Sequence, residues 1–324
     1  MSVNSTCINK TRESVSAIFI NVWTGVSSIV AVIWLSRSMY KQRHFSQPKF
    51  LSLAVCFCDL LYAAISNSQV VAASWLGYCV LGGDQGCIIR GFSRNSTMVA
   101  SHLMVVFMAM ERFIALRFPF RYQHLLTPRK VVTVAVSLYI YSIVLATLPL
   151  MGVNKYGYGL WCDFHWNDTS PAGRFFVIFF LIQGFGCMLL TVYCNISVIY
   201  ELLAIKRRVG PGLSKASFKE KLDHFKFMAI MAMVSIFYII CSTPYLIRLM
   251  CNQFGIDRSL EKDFQAVRMY IINNMTNSYL ILFIQVLFHP KVIDKFRACC
   301  CAHASKENDT TVAEMQTSEV VVPP

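Results

Sequence analysis

Seven stretches of this chain, at roughly 16–36, 50–76, 87–111, 130–151, 173–204, 226–251 and 264–288, are long and apolar enough to cross a bilayer as helices. A hydrocarbon core about 30 Å thick takes about 20 apolar residues, because each advances a helix by about 1.5 Å. In lipid the backbone must bond to itself, and continuous apolar runs of this length do so as helices. The expected fold is all-α, a seven-transmembrane-helix bundle. Composition agrees: 56% of the 324 residues are hydrophobic and 15% charged, where a soluble domain carries about 25% charged. The expected organisation is a tail at 1–15, the bundle at 16–288, an amphipathic juxtamembrane helix with a cysteine cluster at 289–301, and a disordered tail at 302–324.

The formal net charge of +13 would suit nucleic acid, but its distribution argues against that partner. One set of loops holds Arg37, Lys41, Arg43 and Lys49, then Arg117, Arg121, Arg129 and Lys130, then Lys206, Arg207, Arg208, Lys215, Lys219 and Lys221. The alternate loops hold Lys155, Arg174, Arg258 and Lys262 with a few neighbours. Such a bias marks the cytoplasmic side. With an odd number of spans the N-terminus is expected outside a plasma membrane, with the basic loops facing anionic lipid and a cytoplasmic partner. Residues 1–15 are polar and the first apolar block is long enough to span, so no cleavable signal peptide is read. Acceptor sequons at Asn4, Asn9 and Asn167 all fall on the outer side, where glycosylation happens. Matches at Asn95, Asn195 and Asn274 sit within spans and Asn308 in the inner tail, and these read as chance.

Of thirteen cysteines, Cys7, Cys87 and Cys162 lie on the oxidising side. A Cys87–Cys162 disulfide would tie the fourth-to-fifth-span loop over the bundle, with Cys7 as a competitor. Cys56, Cys58, Cys187, Cys194, Cys241 and Cys251 belong to spans, where thiols pack as small apolar groups. No His/Cys spacing fits a zinc site. Past the spans, His289 to Ala298 reads as a short amphipathic eighth helix, placing Cys299, Cys300 and Cys301 for S-palmitoylation rather than as free thiols.

The third span ends in Glu111-Arg112-Phe113, with Arg112 25 positions after Cys87 and so at the opposite membrane face. Taken alone, Arg112 reads as an interfacial cation snorkelling to headgroups. With Cys87, Trp161-Cys162, Asp59 within the second span and Pro244 in the sixth, the pattern resembles the rhodopsin-like G-protein-coupled receptors. The resemblance implies that Arg112, paired with Glu111, is released on activation to meet a G protein. It implies that Asp59, costly in lipid, holds a sodium ion and shares an activation switch with Asn273 and Asn277. Arrestin is a further implied partner.

A narrower resemblance rests on the loop Gly152 to Cys162, on Thr191 to Asn195, on Ile240 to Gln253 and on Phe264 to Met269. These are similar to prostanoid receptors, the last two to the subtype-four prostaglandin E receptor. The implied ligand is an E-type prostaglandin, its carboxylate met by Arg268 beneath a loop contributing Trp161 and Leu160, with a stimulatory G protein and cAMP as output. Arg268 read on its own would snorkel or pair with Asp263 or Glu261.

The chain departs from the family at several points. The first span has Ser27-Ser28-Ile29 near the usual Asn; Leu160 and Asp163 replace a threonine and an aromatic. Asn277-Ser278-Tyr279-Leu280-Ile281 lacks the proline and terminal tyrosine of the seventh-span motif. A decoy or non-signalling lipid binder therefore stands as an alternative. A transporter has less support, since seven spans do not divide into paired repeats. A membrane enzyme would need a nucleophile, metal cluster or acid pair at one depth; Asp59 is isolated, Glu111 sits at an edge and His102 shows no evident partner.

Overall fold

Long apolar runs fold here as long helices, seven of them among the residues that the computed structural model describes: 14–41, 45–69, 71–72, 83–157, 162–208, 215–257 and 259–287. They are α1 (Ser14–Tyr40), α2 (Gln47–Leu61), α3 (Gly83–Arg117), α4 (Pro128–Thr147), α5 (Pro171–Arg208), α6 (Lys215–Phe254) and α7 (Leu260–Leu287). Six are long and apolar enough to cross a membrane by length and composition. The exception is α7, whose 28 residues would span but include Glu261, Lys262, Asp263 and Arg268, then Asn273, Asn274 and Asn277.

Local chemistry sets the helix ends. Pro128 opens α4 behind Thr127, whose side chain accepts from the Lys130 backbone N–H, so one orphan donor of the first turn is met. Beyond Leu61, α2 winds on as a π-helical segment, Tyr62–Asn67, three residues past Asp59. Within α6, Pro244 interrupts the ladder, and the Thr243 hydroxyl donates to the Ile239 carbonyl at 2.6 Å beside that break.

The third helix is the hub. It packs against α2, α4, α5 and α6, and 72% of its span is buried against 28% for α4 and α5. The peripheral helices turn apolar side chains outward: Val132, Val136, Ile140 and Val144, one every turn of α4, are exposed. In water that stripe would be an uncovered patch; in a bilayer it faces lipid. Residues up to Ile281 form one unit; a second begins at Leu282, and its described part is the end of α7.

Between α4 and α5 lies a hairpin, β1 (Tyr156–Gly157) against antiparallel β2 (Asp163–Phe164), pairing Tyr156 with Phe164 and Gly157 with Asp163. Asn154, buried, pins its base: Oδ1 accepts from the backbone of Lys155 at 2.6 Å and of His165 at 2.9 Å. Gly91 of α3 admits the hairpin, since a Cβ there would lie 2.4 Å from the Tyr156 ring and 2.8 Å from the Cys162 carbonyl oxygen.

Candidate functional site

A disulfide joins Cys87 of α3 to Cys162, with Cα atoms 5.2 Å apart across 75 residues of sequence. This holds the α4–α5 loop against the hub helix, and the segment after Cys162 turns inward. Phe164 packs on Phe176 and Phe180, with ring centroids 5.3 and 5.1 Å away. Trp166 meets Tyr245 edge-on at 5.0 Å, and Tyr245 stacks on Tyr270 at 4.3 Å. Such pairs add about 0.5–1.5 kcal/mol each beyond their buried area. The Gln253 amide donates to the Trp166 carbonyl and ties the loop to the end of α6. Leu160 and Trp161 lie outside the described residues.

Beneath this aromatic cover are charges that sequence reasoning misses. Arg90 and Arg94, one turn apart on α3, are each 3% exposed. An Arg90 nitrogen is 3.6 Å from the Cys162 sulfur, and an Arg94 nitrogen is 3.9 Å from Asp163 Oδ2. The signal was present: two cations one turn apart within an apolar block are expensive in lipid and need a polar surrounding. Asn95 donates to Asp163 Oδ1 at 3.0 Å, so its sequon is used within the fold.

At the same end of the bundle, Arg248 of α6 is clamped to the start of α7. Its Nε bonds Asp263 at 2.7 Å and an Nη bonds the Asp257 carbonyl at 2.7 Å. Lys262 donates to Asp257 at 2.5 Å. That hydrogen bond, with help from the Arg248 charge, holds the Asp257 carboxyl below the usual carboxylate range. Asp263, a candidate partner for Arg268 from sequence, is thus bonded to Arg248. Arg268 itself is exposed, on the turn of α7 with Gln265 and Ile272, beside the buried face of Ala266, Val267, Tyr270 and Ile271.

Deeper in the bundle His102 has the partners that sequence did not supply. Its Nδ1 is 3.0 Å from the Tyr270 hydroxyl and its Nε2 is 3.0 Å from the Asn273 amide nitrogen. Asn273 therefore joins His102 rather than Asp59. A cavity of about 40 Å³ adjoins this group, lined by His102, Gln183, Tyr238, Ser242 and Tyr270 with apolar neighbours. That volume suits water, whereas drug-sized ligand pockets run from about 300 Å³.

Asp59, fully buried, accepts from Ser101 of α3 at 2.8 Å and from Ser278 of α7 at 3.0 Å. Ser28 of α1 donates to Ser278 at 3.1 Å, and Asn277 donates to Ser101 at 3.5 Å. Asn277 Oδ1 is buried with no hydrogen-bond partner among the described residues. A carboxylate, two hydroxyls and a spare amide oxygen are the hard oxygen donors that a small cation takes, so the residues present fit a sodium ion.

At the other end of α3, Arg112 grips its neighbour Glu111 through two hydrogen bonds of 2.5 and 2.7 Å. The Tyr122 hydroxyl sits between Glu111 and Gln47, bringing in the short helix Pro119–Leu125. Phe120 on that helix is 96% exposed. Arg117 and Glu201 form an ion pair between α3 and α5. Of the modification candidates, Asn167 is exposed in the turn before α5; Asn4, Asn9, Cys299, Cys300, Cys301 and the eighth helix lie outside the described residues.

Residues 28–281 match the family described as 7 transmembrane receptor (rhodopsin family). The prostaglandin E2 receptor EP2 subtype of the dog, Canis lupus familiaris, is 26% identical over 280 residues, covering 79% of this chain and 74% of that receptor. The human prostacyclin receptor is 27% identical over 269 residues, covering 78% and 67%. Among solved structures, squid rhodopsin superposes with a TM-score of 0.66 at 15% identity, covering 99% of this chain and 98% of its own, a likeness of fold. The relatives point to the prostanoid receptors as a group and to no one subtype.

Proposed function

The chain belongs to the 7 transmembrane receptor (rhodopsin) family, and on that premise we propose that it is a receptor for an acidic lipid mediator, an E-type prostaglandin in the first instance, coupled to a heterotrimeric G protein. The family consists of signalling receptors rather than enzymes. Receptors for prostaglandin E2 and prostacyclin are among its relatives. The observation that carries the ligand class is the cover: the disulfide-tied loop lays Phe164 and Trp166 on Phe176, Phe180 and Tyr245. A largely apolar, roofed site at one end of the bundle suits a lipid better than a hydrophilic ligand.

In this reading the disulfide end faces outward from a plasma membrane, with the N-terminus on that side, as the loop charges favour. Arg268, near the outer end of α7, holds the ligand's carboxylate through paired hydrogen bonds. Asp59, with Asn277 beside it and Asn273 one turn away, forms the sodium and activation region. Arg112, Glu111, Phe120 and the basic loops make the inner contact with a G protein, of the stimulatory type, and with arrestin.

One observation favours a second reading, a binder that does not signal. Ile281 is fully buried where the family motif ends in tyrosine, so an apolar side chain fills the place of a switching hydroxyl. Cells expressing the chain, exposed to prostaglandins E2, D2 and I2, separate the readings. A cAMP rise supports the receptor; saturable binding without any G-protein response supports the silent binder; no binding of any prostanoid overturns the ligand class.

A further inference from the structure

We propose that Arg121, Arg129 and Lys130 form a headgroup site for an inositol phospholipid bearing more than one phosphate, whose acyl chains lie along the outward face of α4. This rests on the orientation proposed above only for the leaflet that supplies the lipid, and the binding test below does not depend on that orientation.

The site is built around a turn. Only Leu126 and Thr127 separate the short helix Pro119–Leu125 from α4, so Arg121 and Arg129 stand on two helices that meet at one corner. Hydrogen bonds fix that corner. The Leu126 carbonyl accepts from the Gln47 amide of α2 at 2.6 Å. The Tyr122 hydroxyl bonds Gln47 and Glu111. The Lys130 ammonium donates to the His124 carbonyl at 3.0 Å. Arg121, Arg129 and Lys130 are nevertheless exposed. Among the described residues, the guanidiniums of Arg121 and Arg129 have no hydrogen bond or ion pair.

The surrounding sequence supplies no acid to balance them. No Asp or Glu occurs from Phe113 to Cys162, or from Ser14 to Cys58. Glu111 and Glu201 are already paired with Arg112 and Arg117. A planar guanidinium meets phosphate oxygens through two parallel hydrogen bonds. Two guanidiniums and an ammonium exceed the charge of a single phosphodiester, which is why the headgroup is a polyphosphate.

The neighbouring surface favours a lipid over an acidic protein. Arg129 stands one turn before Val132, at the head of the stripe that runs on through Val136, Ile140 and Val144, all exposed. Only 28% of this span is buried, so acyl chains reach it directly. A soluble acidic partner would meet the cations and leave the stripe uncovered. A phospholipid covers both, its phosphates on the basic corner and its chains on the valines and isoleucine.

The test is fluorescence anisotropy of a labelled diacyl phosphatidylinositol bisphosphate on the purified full chain in detergent. Arg121→Gln with Arg129→Gln should weaken the probe by about 30-fold, from about fivefold for each cation removed beside an anionic headgroup. Arg37→Gln with Lys41→Gln removes the same charge from exposed positions at the end of α1, and should change binding by about threefold at most, because salt screens distant charges. Free inositol trisphosphate should compete at least about tenfold less well than the lipid, since it has no chains to bury. Equal losses in the two double variants would mean diffuse attraction to a basic surface and overturn the site. Inositol trisphosphate competing as well as the lipid overturns the lipid assignment in favour of a free polyphosphate. Unchanged lipid binding in Arg121→Gln with Arg129→Gln also overturns it, and loss of nucleotide exchange in that variant would then give the corner to the G protein.

Discussion

Ser278 of α7 donates a hydrogen bond of 3.0 Å to the buried carboxylate of Asp59 on α2. The serine stands where the related motif carries proline. Ser28, in the neighbourhood where the first span lacks its usual asparagine, donates to that same serine at 3.1 Å. Two departures from the family pattern thus meet in space and together supply hydrogen bonding around one buried acid.

Ser278→Ala deletes a donor to a buried carboxylate, a loss of about 1.5–3 kcal/mol for a bond to a charged group. Thermal unfolding of the purified chain in detergent should fall accordingly, and Ser28→Ala should fall by less because its bond is neutral. Equal stability of Ser278→Ala and the native chain would show that Asp59 is satisfied without it.

If a sodium ion binds at Asp59, ligand affinity measured in sodium and in a bulky organic cation should differ in the native chain and agree in Asp59→Asn. The same sodium effect in both proteins removes Asp59 from any cation site.

The Arg112 end offers a paired test. Arg112→Ala breaks the grip on Glu111 and should reduce nucleotide exchange on the G protein by about tenfold or more, equivalent to about 1.4 kcal/mol, with surface expression and ligand binding kept. Phe120→Ala removes an exposed apolar side chain and should lower coupling in the same direction while leaving stability unchanged. Collapse of binding in Arg112→Ala would mark a structural residue.

Arg268→Lys keeps the charge but loses the planar fork. An acidic prostaglandin should weaken by about tenfold, the size of a charged hydrogen bond, and its methyl ester by much less. Equal losses for acid and ester, or none, take Arg268 out of the site.

Much of the fold was legible because the bilayer imposes one length and one polarity on every span. The Cys87–Cys162 bond was readable because membrane side limits which thiols meet an oxidant. The roles of His102, Arg94 and Asp163 were not. Each depends on which side chain faces inward at a given depth, and apolar blocks with no polar face hide that periodicity. His102 looked isolated because its partners, Tyr270 and Asn273, are 168 and 171 residues away. Asp163 looked like a mere departure until the hairpin register set it beside α3.

The polarity of α7 bears on how the chain is made. A segment carrying three asparagines and several charges gains too little from lipid to leave the translocon on its own account. It must be received by helices already inserted, and the groups that receive it are His102 for Tyr270 and Asn273, and Asp59 for Ser278. The seventh helix thus completes polar contacts that the earlier ones leave open, and insertion of the bundle turns on that docking. Substitutions at His102 or Asp59 are then expected to show first as retention in the endoplasmic reticulum, before any change in pharmacology can be read.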